Sequence, residues 1–224
     1  MNTLFLLGDS TCAPKEDDKR PETGWGMYIE SYIDFSWGVT NLALNGRSTK
    51  SFLEEGVFDR CLGMLESGDF VFIQFGHNDS KKDKERYTEP WSTFQGNLAC
   101  MAESVLSKHA TPVFLTPIAR RRFLPDGSLE HTHGEYPHAM LSLCQARGYA
   151  CIDMHKTTFS LLEQMGDEDS KELFLHLKAG EHPNYPEGVA DDTHLNEKGA
   201  RVVCSLIISL LKEKYPEFPF LGLR

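Results

Sequence analysis

Short apolar runs alternate with amphipathic stretches along most of the chain. Some runs are rich in Val, Ile and Phe and are bounded by Gly, Asp or Pro, a pattern that predicts β-strands. They cover residues 3–7, 39–43, 70–75, 112–116 and 150–153. Because their apolar residues are continuous rather than alternating with polar ones, we expect both sheet faces to be covered, as in a parallel sheet.

The stretches between these strands have helical spacing. They cover residues 26–33, 58–66, 91–108, 137–147, 157–165 and 196–214. In the last one, Val203, Ile207 and Leu210 share a face, and Asn196 is the predicted N-cap. The alternation of strands and helices predicts a three-layer α/β/α sandwich with a mostly parallel five-stranded sheet, formed by residues 1–224 as a single domain.

Charge and hydropathy exclude several classes of partner. The chain has 224 residues, with 23 Lys and Arg against 33 Asp and Glu, a formal net charge of −10. An acidic protein is poorly suited to nucleic acid or to an anionic membrane surface. The longest apolar run, residues 202–211, is about half the length of a membrane span. With no recognisable signal peptide, the expected location is the cytoplasm.

Long polar segments follow the predicted strands. Residues 12–23, 76–90 and 118–136 leave the carboxyl ends of strands, where open α/β sheets bind ligands. Residues 175–194 are predicted to be a further long loop. The basic cluster Arg120, Arg121 and Arg122 lies in one of these segments. Most of it is expected to be solvated, and the alternative is that one residue lines the ligand pocket.

Two of these segments carry residues suited to nucleophilic catalysis. Ser10 ends the first strand in Gly8-Asp9-Ser10, where a turn can lift its hydroxyl out of the sheet. Near the other end of the chain, Asp191 precedes His194 by three residues, so its carboxylate can accept the Nδ1 proton and leave Nε2 free. Such a pair is the base half of a serine hydrolase triad. Each element alone is also compatible with an ordinary turn.

Two further positions could stabilise an oxyanion. Gly46 follows the second strand, and a glycine lets a backbone N–H approach a reacting carbonyl. Asn78 follows the third strand and offers a neutral amide donor. Asp9 and Asp79 are interpreted as loop anchors, because a carboxylate beside a developing oxyanion would oppose it. All of these positions lie at strand ends on one sheet edge, which makes coincidence a poor explanation.

Taken in this order, the motifs resemble the SGNH (GDSL-type) hydrolase family, and among its branches the rhamnogalacturonan acetylesterases. The similarity spans nearly the whole chain and rests on residues 8–11, 23–26, 45–48, 75–79 and 192–196. It implies a flavodoxin-like fold and a serine esterase that removes O-acetyl groups from pectin-derived oligosaccharides through an acetyl-serine intermediate.

The resemblance also implies the role of each site residue. Ser10, Asp191 and His194 would be the catalytic triad, and the oxyanion would be held by Ser10, Gly46 and Asn78. No metal or organic cofactor is expected, the expected partner is an acetylated oligosaccharide, and the oligomeric state stays open.

Substrate contacts and the exact function remain open to alternatives. Trp25 is a candidate for stacking on a sugar or for packing, and Arg47 for binding a uronate or forming a salt bridge, while His77 is a third candidate contact. The alternative functions are an esterase or lipase with another acyl substrate, a binuclear metallophosphoesterase and a non-catalytic sugar-binding module.

Overall fold

The computed structural model describes residues 1–222 and has a five-stranded parallel sheet at its centre. Its strands are β1 (Thr3–Gly8), β2 (Gly38–Asn41), β3 (Phe70–Gln74), β4 (Thr111–Leu115) and β5 (Ala150–Ile152), in the spatial order β2-β1-β3-β4-β5. Each starts or ends within two residues of its predicted limits. The predicted α/β class and mostly parallel five-stranded sheet are therefore confirmed.

The two faces of the sheet bury separate hydrophobic cores. In β1, Leu4 and Leu6 belong to one core, whereas Phe5 and Leu7 belong to the other. This alternation follows from the period-two geometry of a strand. Both faces are apolar because helices cover both, which explains the continuous apolar runs in the sequence.

Helices form the two outer layers. On one face lie α1 (Thr49–Glu54), α2 (Val57–Met64), α3 (Gln95–Ser107) and α4 (Tyr136–Arg147), and on the other lie α5 (Met154–Ser170) and α6 (Glu197–Lys214). The predicted N-cap of α6 is confirmed, because the Asn196 side chain accepts a hydrogen bond from the Gly199 N–H at 3.0 Å. Among residues 1–222, no helix is long and apolar enough to cross a bilayer.

The predicted helix over residues 26–33 is wrong. The chain instead forms two 3₁₀ turns, Trp25–Met27 and Ile29–Tyr32, which meet at Tyr28 with φ near −120°. The buried residues Trp25, Ile29 and Ile33 are spaced four apart and so imitate a helical face.

The predicted loop over residues 175–194 contains a two-stranded antiparallel sheet. Its strands are β6 (Phe174–Leu177) and β7 (Val189–Leu195). Most β7 side chains are half-buried and many are polar, so the segment lacks the apolar pattern that would have indicated a strand. This small sheet matters because β7 carries both Asp191 and His194.

Candidate active site

The side chains of Ser10, His194 and Asp191 form one hydrogen-bonded chain at the carboxyl edge of the parallel sheet. Ser10 is the second residue after β1, and His194 lies 184 residues later on β7. His194 Nε2 is 3.0 Å from Ser10 Oγ, and His194 Nδ1 is 2.7 Å from Asp191 Oδ2. The structure thus brings together the three residues that the sequence predicted as a triad.

A turn after β1 positions Ser10. The Asp9 carbonyl accepts hydrogen bonds from the backbone N–H groups of Cys12 and Ala13, at 3.1 and 3.0 Å. The chain therefore leaves the sheet at Ser10, which stays half-buried. The carboxyl group of Asp9 accepts from the Thr11 N–H and hydroxyl at 3.0 and 2.9 Å, in agreement with its interpretation as a loop anchor.

An irregularity in β7 positions His194. Leu175 pairs with Asp191, but the preceding residue, Phe174, pairs with Leu195, so residues 192–194 have no partner on β6. Such a bulge re-aims side chains out of the regular alternation of a strand. His194 can therefore approach Asp191 as it would on a helical turn, although neither residue is helical.

Asp191 is held in its charged form. Its Oδ1 accepts hydrogen bonds from the backbone N–H groups of Thr193 at 2.7 Å and His194 at 2.9 Å. Burial by itself would raise the pKa of Asp191, but hydrogen bonds from the ring and backbone of His194 outweigh it and lower the pKa to about 2. A carboxylate facing Nδ1 places the proton there and leaves Nε2 free to accept one from Ser10.

Asp192 points away from the His194 imidazole, towards His176 and Arg121. Its Oδ1 lies 2.8 Å from His176 Nε2 and also pairs with Arg121. Arg121 forms a second ion pair with Asp167 and is only 3% exposed, so its predicted solvation is wrong. Arg121 links α5 to β7 and thereby fixes the strand that carries His194.

The segments with Gly46 and Asn78 flank Ser10, because β2 and β3 are the neighbours of β1 in the sheet. The Asn78 Nδ2 group donates one hydrogen to the Arg47 carbonyl at 3.1 Å. A side-chain amide has two hydrogens, so this bond orients the group and leaves the second one unused. Gly46 has φ of +76°, a left-handed conformation that favours glycine.

The buried Asp79 side chain holds together the segments that carry Gly46 and Asn78. It is fully buried and accepts hydrogen bonds from the Thr49 N–H at 3.0 Å, the Thr49 hydroxyl at 2.6 Å and the Gly76 N–H at 3.2 Å. These bonds join the start of α1, which follows Gly46, to the loop that carries Asn78. The observed contacts agree with the interpretation of Asp79 as a loop anchor.

Two of the candidate substrate contacts have buried side chains, and Trp25 takes the packing role that the sequence left open. Trp25 is fully buried, and its Nε1 donates to Gln74 Oε1 at 2.8 Å, so it cannot stack on a sugar. His77 is only 2% exposed and its Nδ1 lies 3.0 Å from His133 Nε2. Burial, with the nearby His133, lowers the pKa of His77 and keeps this pair neutral.

Arg47 takes the salt-bridge role that the sequence left open. Its Nε lies 3.0 Å and its Nη2 2.9 Å from Glu55 Oε2, while Nη1 donates to the Asn45 carbonyl at 2.8 Å. The guanidinium charge is already paired with a carboxylate, so a uronate would have to compete with Glu55.

Sequence reasoning left open that one residue of the basic cluster lines the substrate pocket, but it did not single out Arg120. This residue follows the buried pair Ile118 and Ala119 after β4, and its guanidinium donates to the His77 carbonyl at 2.8 Å. In the sequence, Arg120 cannot be distinguished from its neighbours Arg121 and Arg122, which form a basic cluster with it. The signal available in the sequence was its place in the segment that follows the predicted strand 112–116, on the same edge as Ser10.

Metal coordination has no ligand set in the part of the chain that the structure describes, where no three His, Cys, Asp or Glu side chains are grouped to hold an ion. The alternative of a binuclear metallophosphoesterase gains no support from this geometry. The arrangement of hydroxyl, imidazole and carboxylate at the carboxyl edge of an α/β/α sandwich is instead typical of serine hydrolases.

Comparison with known proteins gives the same class. The model of the GDSL-like lipase/acylhydrolase family matches residues 6–202. The chain therefore belongs to this family, and it is a carboxylic ester hydrolase. The family that the motifs indicated is confirmed.

Individual proteins show where within the family the similarity is high. The chain is 42% identical over 210 residues to the rhamnogalacturonan acetylesterase RhgT of Bacillus subtilis, covering 94% of this chain and 89% of the relative. It is 32% identical to the probable rhamnogalacturonan acetylesterase YesY of the same organism, covering 95% and 93%. A variant acetyl xylan esterase of Geobacillus stearothermophilus shares the fold, with a TM-score of 0.66, 14% identity and coverage of 100% and 97%.

Proposed function

We propose that the chain is a carbohydrate O-acetylesterase in which Ser10 is the nucleophile, His194 the general base and acid, and Asp191 the residue that orients the imidazole. The observation that carries this proposal is the continuous hydrogen-bonded chain, 3.0 Å from Ser10 to His194 and 2.7 Å from His194 to Asp191. An activated serine needs a base within hydrogen-bond reach that is itself oriented by a third group.

The reaction proceeds in two half-reactions. Ser10 Oγ attacks the acetyl carbonyl while His194 Nε2 takes the hydroxyl proton, and the charged Asp191 stabilises the resulting imidazolium. The tetrahedral intermediate collapses as His194 returns the proton to the departing sugar oxygen, which leaves acetyl-Ser10. Water then attacks the acetyl group with His194 again as base, releasing acetate and restoring the hydroxyl.

The oxyanion of each tetrahedral intermediate is assigned to three donors. They are the backbone N–H groups of Ser10 and Gly46 and the second amide hydrogen of Asn78. The bond from Asn78 to the Arg47 carbonyl orients the amide before substrate arrives, and the buried Asp79 ties the start of α1, after Gly46, to the loop that carries Asn78. Donors that need no reorganisation contribute most to stabilising developing charge.

The proposed substrate is an acetylated oligosaccharide derived from rhamnogalacturonan. The support is the 42% identity to a rhamnogalacturonan acetylesterase over nearly the full length of both chains. A neutral acetylated sugar, as in xylan, is the second candidate, since an acetyl xylan esterase shares the fold.

The test measures acetate release from acetylated rhamnogalacturonan and xylan oligosaccharides, and turnover of p-nitrophenyl acetate, by the wild type and two variants. Ser10→Ala should lose nearly all activity on every substrate. Ser205→Ala, an exposed serine on α6, is the matched control and should behave as the wild type. Full activity in Ser10→Ala would overturn the nucleophile assignment, and turnover of p-nitrophenyl acetate without acetate release from any saccharide would overturn the substrate class.

A further inference from the structure

Arg120 is a half-buried cation that contacts only neutral groups. Its Nη2 donates to the His77 carbonyl at 2.8 Å, and its Nη1 makes longer contacts of 3.5 and 3.4 Å with the carbonyl and hydroxyl of Thr132. Its Nε has no acceptor among residues 1–222. A guanidinium has five N–H donors, so this group retains unused donors in a fixed orientation.

Arg120 lies near the three segments of the active site, which carry Asn78, His194 and Ser10. Its guanidinium holds the carbonyl of His77, the residue before Asn78. The next residue, Arg121, donates its backbone N–H to the Asp192 carbonyl at 2.8 Å, two residues before His194. Its charge also acts on the buried carboxyl of Asp9, the residue before Ser10. Arg120 therefore lies where these three segments meet.

Arg120 has no ion pair with any residue that the structure describes, unlike most other arginines of the protein, and the buried carboxyl of Asp9 acts on its charge only from beyond ion-pair distance. Within the described ranges, only Arg60 and Arg120 have no carboxylate oxygen within 4 Å, and Arg60 is exposed on α2. Burial lowers the pKa of Arg120, which reflects the cost of removing its charge from water. A desolvated guanidinium with unused donors favours a planar anion that can bind with both oxygens.

The other side of the site is unsuited to an anion. A cavity of about 360 Å³ adjoins Gly46, and its charged lining residues are Arg47, Glu55, Asp83, Glu85 and Arg86. Both arginines are paired with carboxylates, Arg47 with Glu55 and Arg86 with Asp83. Among these lining side chains only Glu85 has no oppositely charged partner in the described part of the chain, so the cavity lining offers no unpaired cation to a sugar carboxylate.

We propose that Arg120 is a specificity-determining residue that binds the carboxylate of a uronate in the acetylated oligosaccharide. This inference rests on the proposed function and names the chemistry by which the same site would recognise an acidic sugar. A protein of net charge −10 gives such a substrate no general attraction, so a local cation with free donors has to supply it.

The test compares paired substrates that differ only in charge. Acetylated rhamnogalacturonan oligosaccharides are assayed as free acids and after methyl esterification of their carboxylates. The wild type should prefer the free acid. In Arg120→Gln, kcat/KM for the free acid should fall roughly 10- to 100-fold, mainly through KM, because a charge-assisted hydrogen bond is lost. The methyl ester should lose much less, and Arg120→Lys should be intermediate, since it keeps the charge without the planar fork.

A second readout separates this inference from the proposed function. Galacturonate should inhibit p-nitrophenyl acetate hydrolysis by the wild type more strongly than its methyl ester does, and Arg120→Gln should remove the difference. Arg60→Gln is the matched control, because Arg60 is the other arginine without an ion pair among residues 1–222.

Three results would overturn the inference. One is equal wild-type rates on acid and ester, which would leave the acetylesterase function standing. Another is an Arg120→Gln variant of wild-type melting temperature that retains the preference for the acid. The third is an equal loss of kcat on acid, ester and p-nitrophenyl acetate, which would make Arg120 a positioning residue for the Asn78 loop.

Discussion

Asp191→Asn should reverse the proton arrangement of His194 with little change in geometry. In the wild type, Asp191 Oδ1 accepts two backbone N–H groups, from Thr193 and His194, while Oδ2 faces His194 Nδ1 at 2.7 Å. An asparagine has one oxygen and one NH₂ group. Its oxygen must take the Oδ1 position, because an NH₂ group there would face two donors. The NH₂ group is then forced towards Nδ1.

This orientation selects the wrong tautomer. Nδ1 has to accept a hydrogen bond from the new amide, so the neutral ring carries its proton on Nε2, 3.0 Å from Ser10 Oγ. A protonated Nε2 cannot take the serine proton. In serine proteases the same exchange lowers kcat about 10⁴-fold, and we expect a similar loss here, equivalent to about 5 kcal/mol of transition-state stabilisation.

The neighbouring carboxylate provides the control. Asp192→Asn makes the same chemical change one residue away, on a side chain that contacts Arg121 and His176 rather than His194. It should weaken the ion pair with the buried Arg121, lower the melting temperature and leave kcat within a few-fold of the wild type. Steady-state kinetics with p-nitrophenyl acetate and thermal unfolding distinguish the two variants. Wild-type kcat in Asp191→Asn, or the larger kcat loss in Asp192→Asn, would refute the reasoning.

Two further predictions concern the groups beside the nucleophile. Asn78→Ala should lower kcat roughly 10²- to 10³-fold with little change in KM, because one oxyanion donor is lost; a proportionate rise in KM instead would place the amide in ground-state binding. The second prediction concerns the buried anchor Asp79. Burial raises its pKa from 3.8 to about 6, and hydrogen bonds from Thr49 and Thr88 offset this only in part. The folded state therefore binds this proton more tightly than the unfolded state, and Asp79 should make unfolding harder as pH falls from about 6 to about 4, by at most about 3 kcal/mol. The unfolding free energy of the wild type should therefore rise relative to that of Asp79→Asn as pH falls over this range. If the difference between the two proteins does not depend on pH, the raised pKa of Asp79 is contradicted.

The positions of Ser10, Gly46 and Asn78 were predictable because parallel strands share one carboxyl edge. Each residue follows its own strand, and those strands, β2, β1 and β3, are adjacent in the sheet. Continuous apolar runs identify such strands in sequence, so the edge where the polar residues meet follows from the pattern. The pairing of Asp191 with His194 was also predicted, from their spacing of three residues, which is typical of a helical turn. In the structure a bulge in β7 brings the two side chains together.

The elements that were mispredicted depend on contacts between distant segments. Residues 25–33 have helical spacing, yet the ideal Cβ of Gly26 would lie 2.6 Å from the Cys12 carbonyl oxygen, so close packing against another segment shapes this stretch. β7 is polar because its side chains serve the site and the ion pairs around it. Local pattern cannot reveal either constraint, since both arise only when the chain has folded.

Substrate recognition is equally hard to predict from local sequence, because it depends on ion pairs between distant segments. In the sequence, Arg47 is the better candidate for a uronate, because it lies in a motif beside Gly46, whereas Arg120 is one of three consecutive arginines. In the structure, Arg47 pairs with Glu55, the C-cap residue of α1, and Arg121 and Arg122 each have acidic partners. Of these four arginines, only Arg120 has no carboxylate oxygen of residues 1–222 within 4 Å. Which arginine can bind an anion is decided by the carboxylates that the fold brings within reach, and that selection moves the expected carboxylate contact from the β2 side of Ser10 to the β4 side.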